Sequence, residues 1–178
     1  PEWGNVALPT VQYTHGMISC AEFTGVLLST LLEMCGIDKK KGKYILAEGA
    51  DGSSMTRTID IDRAMDDVIV AWGMNGEMLR PENGYPLRLV VPGIQGVSWV
   101  KYLRRIEVGD QRYGTKDETL HYVDLMPDGT HRQYTSIQEC KSVITTPSGG
   151  QTLLDKGYYN ISGLAWSGRG SIKRVDVS

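Results

Sequence analysis

Cysteine is scarce in this chain of 178 residues, and its spacing fits no standard metal site. The three cysteines, Cys20, Cys35 and Cys140, include no Cys-x-x-Cys pair, and an odd number cannot be paired completely within the chain. The chain also has only three histidines, and they are not spaced as in the usual zinc motifs. The sequence therefore predicts neither a disulfide framework nor a structural zinc site.

The chain also lacks a large excess of positive or negative charge and has no long apolar run. The formal net charge is −2 and the sequence pI is about 5.9, so no basic excess points to nucleic acid or to an anionic membrane surface. The apolar stretches are far shorter than the roughly 20 residues that cross a bilayer. The first residues carry no basic and apolar leader segment. We therefore expect no nucleic-acid partner and no membrane span.

A leucine-rich stripe predicts the first helix. Its leucines recur on one helical face over residues 26–35, and Gly36 follows where a left-handed C-cap residue is expected. The start of this helix is open. Thr24 is one candidate N-cap, and a capping box formed by Ser19 and Glu22 is the other.

Short strands account for most of the remaining residues up to 108. Apolar and β-branched stretches predict strands at 43–47, 68–72, 87–91 and 100–108, with a brief helix after Asp60. The pair Asn75-Gly76 is typical of a type I′ turn and predicts a hairpin. Residues 109–135 are polar, have a tight turn at 127–129 and are expected to be irregular and functional.

A cluster of turn-forming residues at 146–150 predicts a domain boundary in this region. We expect a first domain of α+β class over residues 1–140. Residues 141–178 show alternating strands at 158–165 and 171–177, which are typical of a β-sandwich, although two or three strands do not complete one. The chain is therefore expected to be an internal piece that stops inside a second domain.

Residues 83–105 are the most informative stretch of the chain. Arg88 heads an apolar run, and three basic residues, beginning with Lys101, follow a Pro-Gly turn. Between them, Gly93 and Gly96 allow the backbone to approach a ligand closely. A cationic cluster held by two strands around a glycine loop predicts anion binding through charge-assisted hydrogen bonds. A solvated basic rim would show the same pattern.

Two motifs in this stretch resemble those of the sulfite oxidase family of molybdenum enzymes. They are Gly-Tyr-Pro-Leu-Arg-Leu-Val-Val-Pro-Gly at 84–93 and Val-Lys-Tyr-Leu-Arg-Arg at 100–105. Residues 163–168 and 175–178 resemble the opening of the family's dimerisation domain. The resemblance implies an α+β fold, in which a molybdopterin-binding domain with a mixed β-sheet and flanking helices precedes the start of an immunoglobulin-like β-sandwich.

The resemblance also implies a molybdenum–molybdopterin cofactor and candidate residues that bind it. Asp51 matches an aspartate that accepts hydrogen bonds from the pterin, which suits a carboxylate, although a plain turn residue is the alternative. Arg88 matches the arginine that the family uses near the cofactor. The strand segment that binds the pterin and its phosphate corresponds to Trp99, Val100, Lys101 and Leu103.

Tyr122 is the candidate catalytic residue, because it matches the family's active-site tyrosine, which assists coupled electron and proton transfer near the metal. Tyr113 is the competing position, and an ordinary surface tyrosine is the alternative without function. Tyr13 matches an aromatic position near the substrate channel. Asn83 stands where animal sulfite oxidases have a histidine. Its amide can donate a hydrogen bond to a phosphate or pterin without carrying charge.

Two elements of the family have no counterpart in this sequence. The metal-ligating cysteine lies in a Cys-x-Gly-Asn-like stretch upstream of the position of Gly16, and no such stretch is present. Cys20 falls on a Ser/Thr position of the family and is rejected as the ligand, so no residue is assigned to the metal. A substrate-binding arginine of the second domain would fall beyond Ser178.

The segments at 80–86 and 119–129 resemble most the molybdenum subunit of bacterial sulfane dehydrogenase, from the thiosulfate-oxidising system. This implies an oxidoreductase that oxidises sulfite or protein-bound sulfane sulfur and passes electrons to a c-type cytochrome. A homodimer and a periplasmic location are expected with it. Two alternatives stay open. One is a noncatalytic remnant or binding module that keeps the fold, and the other is a reductase of the same fold acting on sulfoxide or nitrate.

Overall fold

The computed structural model describes residues 19–133, 137–147 and 150–178. The chain divides into two compact units, a larger one of residues 21–138 and a smaller one that contains residues 139–178. Tyr13, the candidate channel residue, lies outside the described residues.

The larger unit combines nine strands with three short α-helices among its described residues. In chain order they are β1 Phe23–Leu27, α1 Leu28–Met34, β2 Tyr44–Gly49, β3 Thr56–Asp60, α2 Ile61–Ala64, β4 Ile69–Met74, β5 Glu77–Met78, β6 Arg88–Val90, β7 Leu103–Gly109, α3 Lys116–Leu120, β8 Val123–Leu125 and β9 His131–Gln133. Turns of 3₁₀-helix lie at Pro81–Asn83 and Gly96–Ser98. The predicted α+β class is confirmed.

Two antiparallel sheets form the body of this unit. In the first sheet β4 pairs with β1, β5 and β6, and in the second sheet β2 lies between β3 and β7. One cluster of buried apolar side chains joins both sheets to α1 and α2: Leu28, Leu32, Ile45, Ala47, Ile59, Ile61, Ala64, Val68, Val70, Leu89, Val91 and Val100. Burial of each large apolar side chain stabilises the fold by roughly 1.5–3 kcal/mol. Because the core holds β2 and β6 in place, it also fixes the points at which the loops after these two strands begin.

The first helix begins later than the sequence predicts. Residues 23–27 form β1 and pair with β4, so α1 starts only at Leu28. The N-cap position is Leu27, which makes no side-chain cap. Both predicted caps, Thr24 and the upstream capping box, are therefore wrong. The C-cap prediction is confirmed, since Gly36 has a φ of 73°.

The turns predicted from local sequence are found in the structure, whereas the prediction for the region after residue 109 is not. Asn75 and Gly76 have φ angles of 53° and 80° and join β4 to β5, as the hairpin prediction requires. Asp60 precedes α2 as predicted, although its side chain makes no cap hydrogen bond. The expectation that residues 109–135 are irregular is wrong, because α3 and the β8–β9 hairpin lie there.

The described part of the smaller unit contains one antiparallel pair of strands. These are β10 Lys141–Thr146 and β11 Ser162–Trp166. The strand predicted at 158–165 therefore begins later and ends at Trp166. The strand predicted at 171–177 is not formed, since these residues have no regular secondary structure.

Candidate functional site

Two adjoining clefts lie where the loop after β2 meets the segments on either side of the Gly96–Ser98 turn. The first cleft, of about 250 Å³, is lined by Asp51, Met55, Arg88, Gly96, Val97, Trp99, Val100, Lys101 and Tyr102. The second, of about 470 Å³, is lined by Ala50, Asp51, Tyr85, Pro86, Tyr102, Leu103 and Arg104. The clefts share Asp51 and Tyr102. Together they have the size of a site for a small molecule or cofactor.

A backbone bulge at Lys101 and Tyr102 separates the two clefts. On either side of it the chain pairs with the β6 segment, through Leu89 N–H to the Val100 carbonyl at 2.8 Å and Leu103 N–H to the Leu87 carbonyl at 2.8 Å. Tyr102 has a φ of 55°. The surrounding backbone holds this uncommon conformation, because the Tyr102 carbonyl accepts a hydrogen bond from Ala50 N–H at 2.8 Å.

Arg88 is half-buried and donates hydrogen bonds to two loops beside the first cleft, one at Asn83 and one at Trp99. Its Nη1 donates to the Asn83 carbonyl at 3.1 Å, and its Nη2 donates to the Trp99 carbonyl at 3.4 Å. Its guanidinium carbon lies 5.3 Å from the ring centroid of Phe23 and 5.9 Å from that of Trp99. Burial lowers the pKa of Arg88 from its usual value, but a guanidinium stays protonated at any physiological pH.

Lys101 brings a second positive charge to the first cleft. Its Nζ donates to the Glu82 carbonyl at 2.9 Å and lies 5.3 Å from the Tyr102 ring centroid. Gly84 leaves room for this side chain, because a Cβ at Gly84 would approach the Lys101 Cβ to 2.8 Å. Gly84 also has a φ of 105°, a conformation that favours glycine. The glycine of the Gly-Tyr-Pro motif is therefore needed to seat the lysine.

Asp51 presents a carboxylate to both clefts from the turn between β2 and β3. Its Oδ2 accepts a hydrogen bond from the Ser53 hydroxyl, and its Oδ1 accepts one from Met55 N–H at 3.2 Å. The Ser53 hydrogen bond is the largest reason why the pKa of Asp51 lies below its usual value; desolvation opposes it, and the Met55 N–H acts in the same direction as Ser53. The carboxylate is therefore ionised at neutral pH and is an acceptor for N–H groups.

We predict that Asp51→Asn changes how stability depends on acidity. Because the pKa of Asp51 is depressed in the folded protein, its stabilising contribution is complete above the unfolded value of about 3.9 and is lost as pH falls through the folded value. The melting temperature of the wild type relative to the variant should be constant from about pH 5 to pH 8 and should converge below about pH 4. A difference that is unchanged at pH 3 would contradict this account.

The structure brings together most of the cofactor-binding residues that the resemblance implies. Asp51, Arg88, Trp99, Val100 and Lys101 all line the first cleft, and Leu103 lines the second. The Trp99 indole Nε1 donates to the Ile94 carbonyl at 3.0 Å, which fixes its ring beside Arg88. Asn83 does not line either cleft as described. It contributes its carbonyl to Arg88 instead.

Tyr122 lies away from the described lining of both clefts, between α3 and β8. Its ring packs on the buried guanidinium of Arg57, whose central carbon is 4.9 Å from the ring centroid. Arg57 follows Met55, a lining residue of the first cleft, by two positions. The competing Tyr113 has a different environment. Its hydroxyl donates to Glu107 at 3.3 Å, and burial, followed by the charge of Glu107, raises its pKa.

Three residues of the site region were not predicted from the sequence. Phe23 packs edge-on against Trp99, with ring centroids 5.8 Å apart, and contacts Arg88. Tyr102 carries the strained bulge, and Arg57 lies beneath Tyr122. The phenylalanine is the only one in the chain, which was the one available signal. Nothing in the local sequence distinguishes Arg57 from a solvated strand residue.

The clefts fit the molybdopterin that the resemblance implies. A pterin offers N–H groups, which a carboxylate such as Asp51 accepts, and a terminal phosphate, which cations such as Arg88 and Lys101 bind. The Nε of Arg88 is buried without a hydrogen-bond partner among the described residues, so its N–H is available to donate to a ligand. A Cβ at Gly96 would meet no atom within 4 Å, so the lining leaves open space there.

Neither a metal site nor a membrane helix is found in the described part of the chain. No group of three or more histidine, cysteine, aspartate or glutamate side chains there could hold a metal ion. The three cysteines, all within the described ranges, are exposed and unpaired. Among the helices described, none has the length and apolar character needed to cross a bilayer.

Two family models match this chain one after the other. The oxidoreductase molybdopterin binding domain matches residues 2–116, and the Mo-co oxidoreductase dimerisation domain matches residues 132–178. The first match alone extends over more than half of the chain and includes every residue that lines the two clefts.

Similar proteins include two kinds of oxidoreductase. The chain is 33% identical to human mitochondrial sulfite oxidase over 184 residues, which cover 94% of this chain and 34% of that protein. It is 34% identical to nitrate reductase [NADH] 1 of Phaseolus vulgaris over 193 residues, which cover 92% of this chain and 22% of that protein. The chain thus spans 34% and 22% of the length of these two relatives.

A solved structure resembles the chain in fold as well as in sequence. It is the sulfane dehydrogenase SoxCD from Paracoccus pantotrophus, with a TM-score of 0.83 and 49% sequence identity. The match covers 95% of this chain and 43% of the chain in that structure.

Proposed function

Because this chain belongs to the sulfite oxidase and nitrate reductase family of molybdopterin-binding oxidoreductases, we propose that the whole protein oxidises a sulfur compound with a molybdenum–molybdopterin cofactor. The single observation that carries the proposal is the first cleft. It places one carboxylate and two cations, Asp51, Arg88 and Lys101, around open space next to Gly96.

The residues of the clefts would bind and orient the cofactor. Asp51 would accept hydrogen bonds from the pterin N–H groups, and Lys101 would donate to the terminal phosphate. Arg88 would donate from its unpartnered Nε while its two other nitrogens keep the loops at Asn83 and Trp99 in place. Val100, Trp99 and Leu103 would supply apolar walls, which exclude water and strengthen these polar contacts.

When bound, the cofactor supplies the redox chemistry, a two-electron oxidation of the substrate with electrons leaving singly. Tyr122 is the residue we assign to proton movement in that reaction. Its hydroxyl can both donate and accept a hydrogen bond, and Arg57 holds its ring from one side. The metal-ligating cysteine of the family has no counterpart in this sequence. We therefore assign none of the residues present to the metal.

Within the family, we propose that the protein acts as a sulfane dehydrogenase. The support is the 49% identity with the Paracoccus pantotrophus enzyme over nearly the whole chain, against 33% and 34% for the human sulfite oxidase and the bean nitrate reductase. The substrate would then be sulfite or sulfane sulfur bound to a carrier protein. The electron acceptor would be a c-type cytochrome and the compartment the periplasm.

A homodimer is the oligomeric state that we propose. The support is the match of residues 132–178 to the Mo-co oxidoreductase dimerisation domain. The described part of that unit exposes several large apolar side chains: Ile144, Leu153, Leu154, Tyr158, Tyr159, Ile161, Leu164, Val175 and Val177. Apolar surface of this kind is typical of a face that another chain or the rest of a domain covers.

Substrate assays on the full-length protein test the proposed reaction. Purified protein should reduce a c-type cytochrome when given sulfite or a carrier-protein thiol loaded with sulfane sulfur. The similarity to nitrate reductases supports a second candidate, reduction of nitrate with an artificial electron donor. Cytochrome reduction by a sulfur substrate without nitrate consumption supports the proposal. Nitrate consumption without sulfur-dependent reduction would overturn it.

We predict that Lys101→Met and Arg88→Met both weaken cofactor binding but differ in their effect on folding. A hydrogen bond to a charged group contributes roughly 1.5–3 kcal/mol, so each variant should lose about ten- to a hundredfold in affinity for molybdopterin. Lys101 is exposed, and its loss should leave the melting temperature nearly unchanged. Loss of Arg88 leaves two loop carbonyls without their donor, so that variant should also melt several degrees lower.

Pterin fluorescence of the purified proteins and their thermal melting measure these two effects. Lys40→Met is the matched control, because Lys40 is exposed and lines neither described cleft. Lys101→Met with wild-type pterin content would remove Lys101 from the proposed binding set.

A further inference from the structure

Arg57 is a fully buried arginine, with none of its surface exposed to solvent. It lies in β3, opposite Ala47 of β2. Buried arginine is uncommon and is expected to be paired, since an uncompensated buried charge strongly destabilises a fold.

The charge of Arg57 is only weakly compensated. Its Nη1 donates to the Thr56 carbonyl at 3.0 Å and lies 3.7 Å from a carboxylate oxygen of Asp117, which is too long for a good hydrogen bond. Its Nε and Nη2 have no hydrogen-bond partner among the described residues. The guanidinium edge formed by Nε and Nη2 thus has no acceptor in the part of the chain that the structure describes.

The neighbouring carboxylate of Glu118 is engaged elsewhere. It accepts hydrogen bonds from the backbone N–H of Thr58 at 3.2 Å, from the Thr58 hydroxyl at 3.0 Å and from the Thr115 hydroxyl at 2.6 Å. Glu118 therefore fixes α3 to β3, and its Oε1 also lies 3.8 Å from Arg112 Nη2. The ion pair described for Arg57, at 3.7 Å from Asp117, compensates the buried cation only weakly.

The face of the guanidinium, by contrast, has a specific partner. The ring of Tyr122 covers it, with 4.9 Å between the guanidinium carbon and the ring centroid. A cation–π contact is stronger when the cation is desolvated, as it is here. Because α3 is anchored to β3 through Glu118, the segment that follows α3 and carries Tyr122 is held close to Arg57.

We propose that Arg57 is a positioning residue for Tyr122. Its buried guanidinium packs against the phenol ring and holds the ring in one orientation. This contact therefore sets the position of the Tyr122 hydroxyl for proton transfer. The inference rests on the proposed function for the role of Tyr122 in turnover, but the contact itself is a property of this chain alone. It adds to the site a residue that lies outside the cofactor-binding motifs.

The first test follows the Tyr122 ring directly, with or without cofactor. Full-length protein is labelled with 3-fluorotyrosine, and the ¹⁹F resonance of residue 122 is identified by its absence in Tyr122→Phe. Arg57→Met should shift and broaden this resonance, Arg57→Lys should do so less, and the other tyrosine resonances should stay in place. A resonance that does not move in either variant would overturn the proposal. If Arg57→Met does not fold, Arg57→Lys provides the comparison.

The second test separates positioning from a general loss of structure through a double-mutant cycle. Arg57→Met should lower kcat about thirtyfold with little change in KM, which corresponds to the free energy of a desolvated cation–π contact. In the Tyr122→Phe background it should have no further effect on kcat, because the hydroxyl that Arg57 positions is already absent. Equal losses in both backgrounds would show that Arg57 acts on structure alone and would contradict the proposal.

The two tests also distinguish failure of this inference from failure of the proposed function. If Tyr122→Phe keeps full activity, Tyr122 has no part in turnover, and the positioning of a catalytic hydroxyl is overturned whatever the ¹⁹F spectra show. If Tyr122→Phe lowers kcat but the ¹⁹F resonance of residue 122 is unchanged in the Arg57 variants, the role of Tyr122 in turnover is supported. The proposal that Arg57 positions its ring is then overturned.

Discussion

Replacement of Gly96 by leucine is expected to leave the protein folded and to prevent it from retaining molybdopterin. Gly96 lines the first cleft at the start of the Gly96–Ser98 turn, and a Cβ there would meet no atom within 4 Å. Its φ lies outside the left-handed region, so a side chain causes no backbone strain. The leucine side chain would instead occupy space in a cleft of only about 250 Å³.

The measurement is the pterin and molybdenum content of the full-length variant, purified from a host that makes the cofactor. Near-complete loss is expected, with a melting temperature within a few degrees of the apo wild type. Gly114→Leu is the matched control, because Gly114 is exposed, and the nearest atom to a Cβ there is Thr119 Cγ2 at 4.0 Å. A Gly96→Leu protein with full cofactor content would place the cofactor outside the first cleft.

Tyr122→Phe should lower kcat by about a hundredfold while cofactor content stays at the wild-type level. Proton transfer by a positioned side chain typically contributes 10²–10⁴-fold to the rate, and phenylalanine removes only the hydroxyl that would perform it. The ring remains, so the contact with Arg57 and the fold should be preserved. Because Tyr122 does not line either described cleft, its loss should not release the cofactor.

Steady-state kinetics with a sulfur substrate and a c-type cytochrome measure this effect. Tyr113→Phe is the natural comparison, because it removes a hydroxyl whose described partner is Glu107. We expect that variant to keep kcat within a few-fold of the wild type. The opposite ranking, with Tyr113→Phe impaired and Tyr122→Phe active, would transfer the catalytic assignment to Tyr113.

The lining of the first cleft was predictable because most of its residues lie in one contiguous stretch, residues 83–105. The Gly-Tyr-Pro-Leu-Arg motif and the Val-Lys-Tyr-Leu motif lie on segments that pair through Leu87 and Leu89, so residues close in sequence are also close in space. Asn75-Gly76 and Gly36 were correct for the same reason, since each turn is set by the local conformational preferences of its own residues.

What the sequence did not reveal depends on long-range contacts. The last residues of β1 were predicted as the start of a helix over 26–35, because the pairing partner β4 begins more than forty residues later. The burial of Arg57 results from α3, which covers β3 from about sixty residues further along the chain. Neither effect leaves a periodic pattern in the local sequence.

The family and its cofactor were predicted from the resemblance to known motifs, and residue spacing alone did not predict them. Family membership and the molybdopterin cofactor are confirmed by two successive domain matches and by a solved structure at 49% identity. The anion-binding interpretation of residues 83–105 was one of two readings of the same charges. The folded chain agrees with each interpretation in part. Arg88 is half-buried and lines the first cleft, whereas Lys101, Arg104 and Arg105 are exposed, and the two latter arginines form ion pairs with Glu48 and Glu107.

The most direct test of the central claim is the molybdenum and pterin content of the full-length protein that contains this segment. Elemental analysis and pterin fluorescence should each give about one equivalent per chain after expression in a host that makes the cofactor. The same culture should load a second molybdopterin enzyme as a positive control. A folded protein with neither metal nor pterin, alongside a fully loaded control, would contradict the account and favour a noncatalytic remnant that has kept only the fold.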